Sequence, residues 1–308
     1  MIYRIDFRAM GCQMIAMIDS PSPEAPELLA QVPNWFEEWE QILSRFRADS
    51  ELTQLNNSAG WPMQVSQILW DVFQSAQDAE KASDGLVRAT ILQALVNAGY
   101  DRSFDQMQPE NKQLTISTWN MVSSLAEVSS DETNRSICLP ADVHLDFGGV
   151  AKGWAAQQAA KRLSEYGAVL VSAGGDIAIS AELLTGELWP VTIDDPLKTG
   201  DIIATLMLGP CGVATSGTDY RRWKNGGHWN HHIIDPRSGR PAQTDLISAT
   251  VVAPTALQAE MAAKTVMILG SKNGMDWIEA RPEFSALLVR ETGEIFCSNY
   301  MEHLFWRS

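Results

Sequence analysis

The segment Leu145-Asp146-Phe147-Gly148-Gly149-Val150-Ala151-Lys152-Gly153-Trp154 decides how the chain is read. Val143–Phe147 reads as a strand carrying an acid near its end. Two glycines follow, and the spacing then predicts a helix from about Val150 to Leu163 with Lys152 in its first turn. Glycines let a ligand approach the backbone, a helix N-terminus offers free N–H groups to an anion, and Lys152 adds a full positive charge. The same residues also suit an ordinary tight turn with an exposed lysine, and one glycine pair does not choose between these readings. The segment is neither a P-loop nor a G-x-G-x-x-G fingerprint.

Working outward towards the N-terminus, Met1–Ile18 reads as a first strand. Apolar residues recur at helical spacing over Leu28–Leu43 and Val65–Ala82, the latter stopped by Ser83-Asp84-Gly85. Thr90–Ala98 reads as a further helix, and Arg102–Asp142 as an irregular polar stretch with short strands. Towards the C-terminus, Ala168–Ser180 reads as a strand with Gly174-Gly175 inside it, and His228–Gly239 as a strand plus turn. Ser248–Val252 reads as a strand, and Thr255–Leu269 as a helix with a Thr255…Gln258 capping box and Gly270 just beyond it. Phe284–Arg290 and Glu294–Ser298 read as a closing hairpin. Strands and helices intermix without regular βαβ alternation, so the expected class is α+β.

Composition bounds the function. The 308 residues are 45% hydrophobic, enough for a full core, and are expected to form a single domain over 1–308. A net charge of -15 argues against coating nucleic acid or an anionic membrane, while leaving room for a local phosphate pocket. Apolar runs such as Ile202–Leu208 are far short of the about 20 residues of a membrane span. Ala9-Met10-Gly11-Cys12 superficially resembles a lipobox, but Arg4, Asp6 and Arg8 interrupt the apolar segment a lipobox requires. Cys12, Cys138, Cys211 and Cys297 are widely spaced, as for structural thiols in a reducing compartment, so a cytoplasmic location is expected.

Three further constellations can carry chemistry. Ala173-Gly174-Gly175-Asp176 reads as a bulge with a structural acid, or as a close backbone approach to a ligand. In His231-His232-Ile233-Ile234-Asp235-Pro236-Arg237-Ser238-Gly239, strand geometry puts His232 and Ile234 on one face and His231 on the other. His232 is then a candidate general base or a hydrogen-bonded strand histidine. Glu260 and Lys264, four apart on the capped helix, read by spacing as an ion pair worth about 0.3–0.5 kcal/mol.

Taken together and in order, these segments resemble the ApbE family, the FAD:protein FMN transferases. The matching pieces are Met10-Gly11, Ser44–Leu52 with Leu55-Asn56, Gly99–Phe104, Asp146–Ala155, Ala173–Asp176, Ala214–Gly217, His232–Gly239 and Val251–Pro254. The resemblance implies an α+β unit with FAD in a central cleft. It implies an enzyme that splits the FAD pyrophosphate, attaches FMN to a Ser or Thr hydroxyl of an acceptor flavoprotein and releases AMP, assisted by magnesium. By position, Met10, Leu86, Val87, Arg88, Asp146, Lys152 and Ile234 would bind FAD. The Gly149 carbonyl and Glu260 would correspond to metal ligands, and His232 to the base for the acceptor hydroxyl.

Two departures from the family pattern push one way. The last helix carries Glu260 and Lys264 where the family shows Asp and then Thr or Ser, and Val87-Arg88-Ala89-Thr90 replaces Phe-Asp-Pro-Thr. Lys264 cannot ligate magnesium while charged. The expectation is therefore that Lys264 and Arg88 contact pyrophosphate directly, with Glu260 holding Lys264. The altered helix also favours a second reading, a non-catalytic FAD-binding protein for storage or sensing, with an FAD pyrophosphatase between the two. A generic Rossmann oxidoreductase lacks its fingerprint.

Overall fold

The computed structural model describes residues 1–107, 110–111, 120–225 and 227–307, so part of the polar stretch Arg102–Asp142 lies outside the described residues. The chain divides into two compact units, each made from separated segments. The first comprises Met1–Phe36, Lys152–Asp219 and Thr244–Ser308, and the second Glu37–Ala151 and Tyr220–Gln243.

The first unit is built on one eight-stranded sheet. Its strands, in spatial order, are Ile2–Ala9, Cys12–Asp19, Ala168–Ala173, Asp176–Ile179, Cys211–Gly217, Leu246–Ala253, Ser285–Arg290 and Ile295–Cys297. Every neighbouring pair is antiparallel. Spatial order follows chain order within this sheet, which makes it a meander interrupted by insertions. Leu246–Ala253 is buried along nearly its whole length, as a central strand covered on both faces must be. The helices Ala151–Leu163 and Ala256–Glu279 belong largely or wholly to this unit. The second helix runs past the expected stop and bends at Gly270, whose φ of 77° breaks the helix; the chain then resumes its helical course. Asp245 caps the restarted segment by accepting the Ser271 N–H at 2.8 Å.

Two predicted strands are in fact hairpins. Met1–Ile18 folds back at Met10-Gly11, with φ of 49° and 67°, and Ala168–Ser180 folds back at Gly174-Gly175, with φ of 65° and 98°. Two residues at positive φ make a tight turn matched to strand twist, which accounts for the glycines without a bulge. Met14 pairs with Ala173, so both turns lie at the same end of the sheet. Val213 pairs with Ile177, so Ala214–Gly217 runs towards that end as well. Three separated motifs thus converge through strand register alone.

The second unit is mainly helical, with helices over Glu51–Asn57, Gln67–Ala82 and Leu92–Asn97, joined by short strands at Met63–Gln64, Ser129–Asp131 and Ser136–Cys138 and by the hairpin Arg222–Asn225 with His228–His231. Its apolar centre includes Leu95, Tyr100, Trp223 and Ile234. The predicted strand Val143–Phe147 is an extended loop instead. Asn56 donates to the Leu145 carbonyl at 2.9 Å and accepts its N–H at 2.7 Å, so one side chain replaces a partner strand. Likewise the His228–Gly239 run is not one strand: it pairs over His228–His231 and again at Ile234–Asp235, with a bend at His232 between.

Candidate functional site

In the first unit the residues with chemistry form one buried charged cluster. Lys152, in the first turn of its helix, bonds to Asp176 just after the Gly174-Gly175 turn, and to Glu260 Oε1 at 3.0 Å. Lys264 reaches the same Glu260 oxygen at 2.9 Å. Glu260 Oε2 accepts the Gly153 N–H at 2.9 Å. The spacing-based reading of Glu260–Lys264 as a helix ion pair holds in geometry, but not as an exposed pair: the Glu260 side chain is 0% exposed.

Burial alone would raise the Glu260 carboxyl, but Lys152 and Lys264 outweigh it and hold it down at about 2. Asp176 goes the other way: burial and the charge of Glu260 push it up to about 6 against the pull of Lys152. Burial disfavours the Lys152 ammonium, yet Asp176 and Glu260 keep it charged.

Gly153 is what lets the two helices meet. A Cβ there would lie 2.9 Å from Glu260 Oε2 and 3.0 Å from the Ala256 carbonyl oxygen. Gly→Ala in a helix normally gains about 1 kcal/mol, whereas wedging a methyl into a packed contact costs about 1–3 kcal/mol. Gly153→Ala is therefore expected to lower the thermal midpoint rather than raise it, by about 2–6 °C in a differential scanning experiment.

Met10, at the turn of the first hairpin, holds a positive φ that a bulky side chain rarely adopts. Such an outlier marks a tight turn or a functional constraint. Gly174 must be small because a Cβ would come within 2.8 Å of Cys12 Sγ.

In the second unit, Val87, Arg88, Ala89, Asp146 and Gly149 line one small crevice. Asp146 is fixed there: Oδ1 accepts the Gly148 N–H at 2.7 Å, and Oδ2 meets Arg45 at 2.5 Å. Arg45 also donates to the Tyr100 carbonyl at 2.8 Å and stacks on Phe46 and Tyr100. Arg88 donates to the carbonyls of Gly85 (2.9 Å) and Val122 and lies 3.4 Å from Glu80. Its guanidinium braces the turn after the helix Gln67–Ala82. Leu86 and Val87 are buried.

His231 is engaged with backbone, its Nε2 at 3.0 Å from the Ala242 carbonyl, and burial pulls its pKa down. His232 sits at the bend after it. Ile234 is buried in the apolar centre and pairs with Pro241. The predicted residues thus fall into two groups: Met10, Lys152, Glu260 and Lys264 in the first unit, and Leu86, Val87, Arg88, Asp146, Gly149, His232 and Ile234 in the second. The sequence alone assigns neither Arg45 nor the ionic role of Asp176. Arg45 stands in the matching segment Ser44–Leu52, and Asp176 in Ala173–Asp176, so each was marked by position but not by chemistry.

Glu260 does not fit a magnesium ligand as it stands. Both oxygens are committed, one between two ammonium groups and one to a backbone amide. Magnesium requires free oxygen donors in near-octahedral array, and two adjacent ammonium groups would repel it. Among the described residues, no three His, Cys, Asp or Glu side chains gather to hold a metal ion.

A family model for the ApbE family matches residues 8–288. The chain belongs to the ApbE family. It is 29% identical over 294 residues to the FAD:protein FMN transferase of Treponema pallidum, covering 90% of this chain and 81% of that one. It is 28% identical over 259 residues to that of Haemophilus influenzae, covering 80% and 74%. Among solved structures, the ApbE protein of Thermotoga maritima aligns over 100% of both chains with a TM-score of 0.89 at 21% identity. The flavinyl transferase ApbE of Pseudomonas stutzeri aligns over 100% of this chain and 98% of that one, with a TM-score of 0.82 at 22% identity. The expected α+β, ApbE-like fold is borne out. Among the described residues no helix is long and apolar enough to cross a membrane.

Proposed function

We propose that this ApbE-family chain is an FAD:protein FMN transferase: it splits FAD, joins FMN through a phosphoester to a Ser or Thr of an acceptor flavoprotein, and releases AMP. The observation that carries the reading is the family match over residues 8–288. That match spans segments of both compact units and supports treating 1–308 as one transferase domain. Relatives named for this activity, matched over 74% and 81% of their own length, support it further.

Attack of a weak hydroxyl on phosphorus needs positioning and charge neutralisation more than covalent help. Lys152 is suited to the pyrophosphate, and Asp146, Leu86, Val87, Arg88 and Ile234 to lining the nucleotide. Met10 would meet FAD at its strained turn, and His232 would take the proton of the acceptor hydroxyl. When bound, magnesium would supply Lewis-acid neutralisation of the phosphates, with the Gly149 carbonyl the ligand that remains compatible with it. The four cysteines, all free thiols, support an acceptor met in the cytoplasm.

The test is transfer itself. Incubated with FAD and an acceptor domain, the protein should yield an acceptor band with covalent flavin fluorescence on a denaturing gel, and His232→Ala should slow its appearance about 100-fold or more. Intact FAD bound for days with no labelled acceptor would favour the storage or sensing reading. FMN and AMP without labelling would favour a pyrophosphatase.

A pH dependence follows from Asp176, whose carboxyl is pushed up to about 6. With both acids ionised, Lys152, Lys264, Asp176 and Glu260 sum to zero charge. Protonating Asp176 leaves one net positive charge. The FAD pyrophosphate is a diester that does not titrate in this range. FAD affinity measured by fluorescence quenching should therefore strengthen several-fold as pH falls from about 7.5 to 5.5, on the order of 1 kcal/mol, and Asp176→Asn should flatten the profile.

A further inference from the structure

We propose that Lys152 and Lys264 together form a metal-free anchor for the pyrophosphate of FAD, backed by Glu260 as the positioning residue that holds both ammonium groups. The inference rests on the transferase reading and deepens it by naming what neutralises the phosphates.

The direction in which the charges face carries the argument. The carboxylates lie inside, with side-chain exposures of 0% for Glu260 and 3% for Asp176, while Lys152 and Lys264 are 15% and 14% exposed. The reachable groups of the cluster are thus its cations. An ammonium carries three N–H donors. Lys264 gives one to Glu260, and Lys152 gives one each to Asp176 and Glu260, which leaves donors on both for a ligand. A pyrophosphate diester carries two negative charges, and although the cluster as a whole is neutral with both acids ionised, its two ammonium groups are the exposed members and its carboxylates the buried ones.

The cluster is also held in place. Lys152 rides on the helix Ala151–Leu163, and Glu260 and Lys264 on Ala256–Glu279. Glu260 ties the two helices together through the Gly153 amide, at a contact too close for a side chain on Gly153. Preorganised charges need no reorganisation when the ligand arrives. A metal at Glu260 would have to displace both lysines from Oε1 and the amide from Oε2. Arg88, the other cation expected at the phosphates, is held by the carbonyls of Gly85 and Val122, lies 3.4 Å from Glu80 and belongs to the other unit. Lys152 is the partner that Lys264 has.

The test is equilibrium binding of FAD, followed by flavin fluorescence, with magnesium and with EDTA. For the wild-type protein the two dissociation constants should agree within about twofold. Lys264→Ala should weaken binding about tenfold or more in both conditions, about 1.4 kcal/mol or more. Lys264→Arg should bind within a few-fold of wild type, which separates loss of charge from loss of folding. Isothermal calorimetry with magnesium alone should show no binding heat. FAD binding that requires magnesium would overturn this inference alone, as would a Lys264→Ala variant with wild-type affinity. Failure to bind FAD under either condition would overturn the transferase reading and the anchor with it.

Discussion

Glu260→Ala is expected to lower the thermal midpoint by about 10 °C, the larger part of it through a buried charge cluster losing its centre. Three partners lose their acceptor at once: Lys152 Nζ at 3.0 Å, Lys264 Nζ at 2.9 Å and the Gly153 N–H at 2.9 Å. Removing one member of a buried ion pair costs about 3–5 kcal/mol because the remaining charge stays desolvated. Here the lysines are 15% and 14% exposed and can turn partly to water, which places the ionic loss near the lower bound. The orphaned Gly153 amide adds about 1–3 kcal/mol because it lies inside a helix contact that water does not enter. Glu260→Gln should fall between wild type and Ala, since the amide keeps one acceptor oxygen but turns a donor towards either the lysines or Gly153. Differential scanning calorimetry of the three proteins checks the series. A midpoint within about 2 °C of wild type for Glu260→Ala would mean that the cluster contributes little to stability.

How far the sequence could be read depends on whether the deciding interaction is local. The helix Gln67–Ala82, its Ser83-Asp84-Gly85 stop and the Thr255 cap were legible because each depends on residues within a turn of one another. Glu260 and Lys264 were paired correctly for the same reason. The fourfold cluster was not legible, because Lys152 and Glu260 are 108 positions apart and only the fold joins them. Met10-Gly11 reads as continuous strand because Met is a poor signal for a residue at positive φ; the usual Asn-Gly or Asp-Gly cue is missing. Gly174-Gly175 inside an apolar run suits a bulge or a close backbone approach as well as a turn, so the sequence does not choose between them. Val143–Phe147 has a strand's pattern and no strand to pair with, because Asn56 satisfies Leu145 from a distant helix. Arg88 is a phosphate contact only by the family resemblance, and its carbonyl partners cannot be inferred from spacing. The family resemblance adds what local physics cannot: that these scattered motifs belong to one family pattern.

Gly212→Ala is expected to prevent the protein from accumulating in soluble form, or to lower its thermal midpoint by more than about 10 °C. Gly212 lies in the strand Cys211–Gly217, and a Cβ there would stand 2.1 Å from the Thr255 carbonyl carbon and 2.2 Å from the Ala256 nitrogen. Both obstacles are backbone, so no side-chain rotation relieves them. Where the native conformation accepts it, Gly→Ala gains about 0.4–1 kcal/mol by restricting the unfolded chain. Overpacking costs about 1–3 kcal/mol when side chains can yield, and more when the main chain must move. The balance is destabilising, and the strand or the helix start has to shift. That helix start is where Thr255 accepts the Gln258 N–H at 3.2 Å, and Glu260 follows two residues later. Any variant protein that does fold should therefore also bind FAD more weakly, because the shift reaches Glu260 and through it both lysines. Gly209→Ala is the control: its nearest neighbours would be the side chains of Glu182 and Leu188 at 3.6 Å, an ordinary contact, so its midpoint should stay within about 2 °C of wild type. Equal behaviour of the two variants would show that Gly212 is not a packing constraint, and that the strand does not set the position of the helix bearing Glu260.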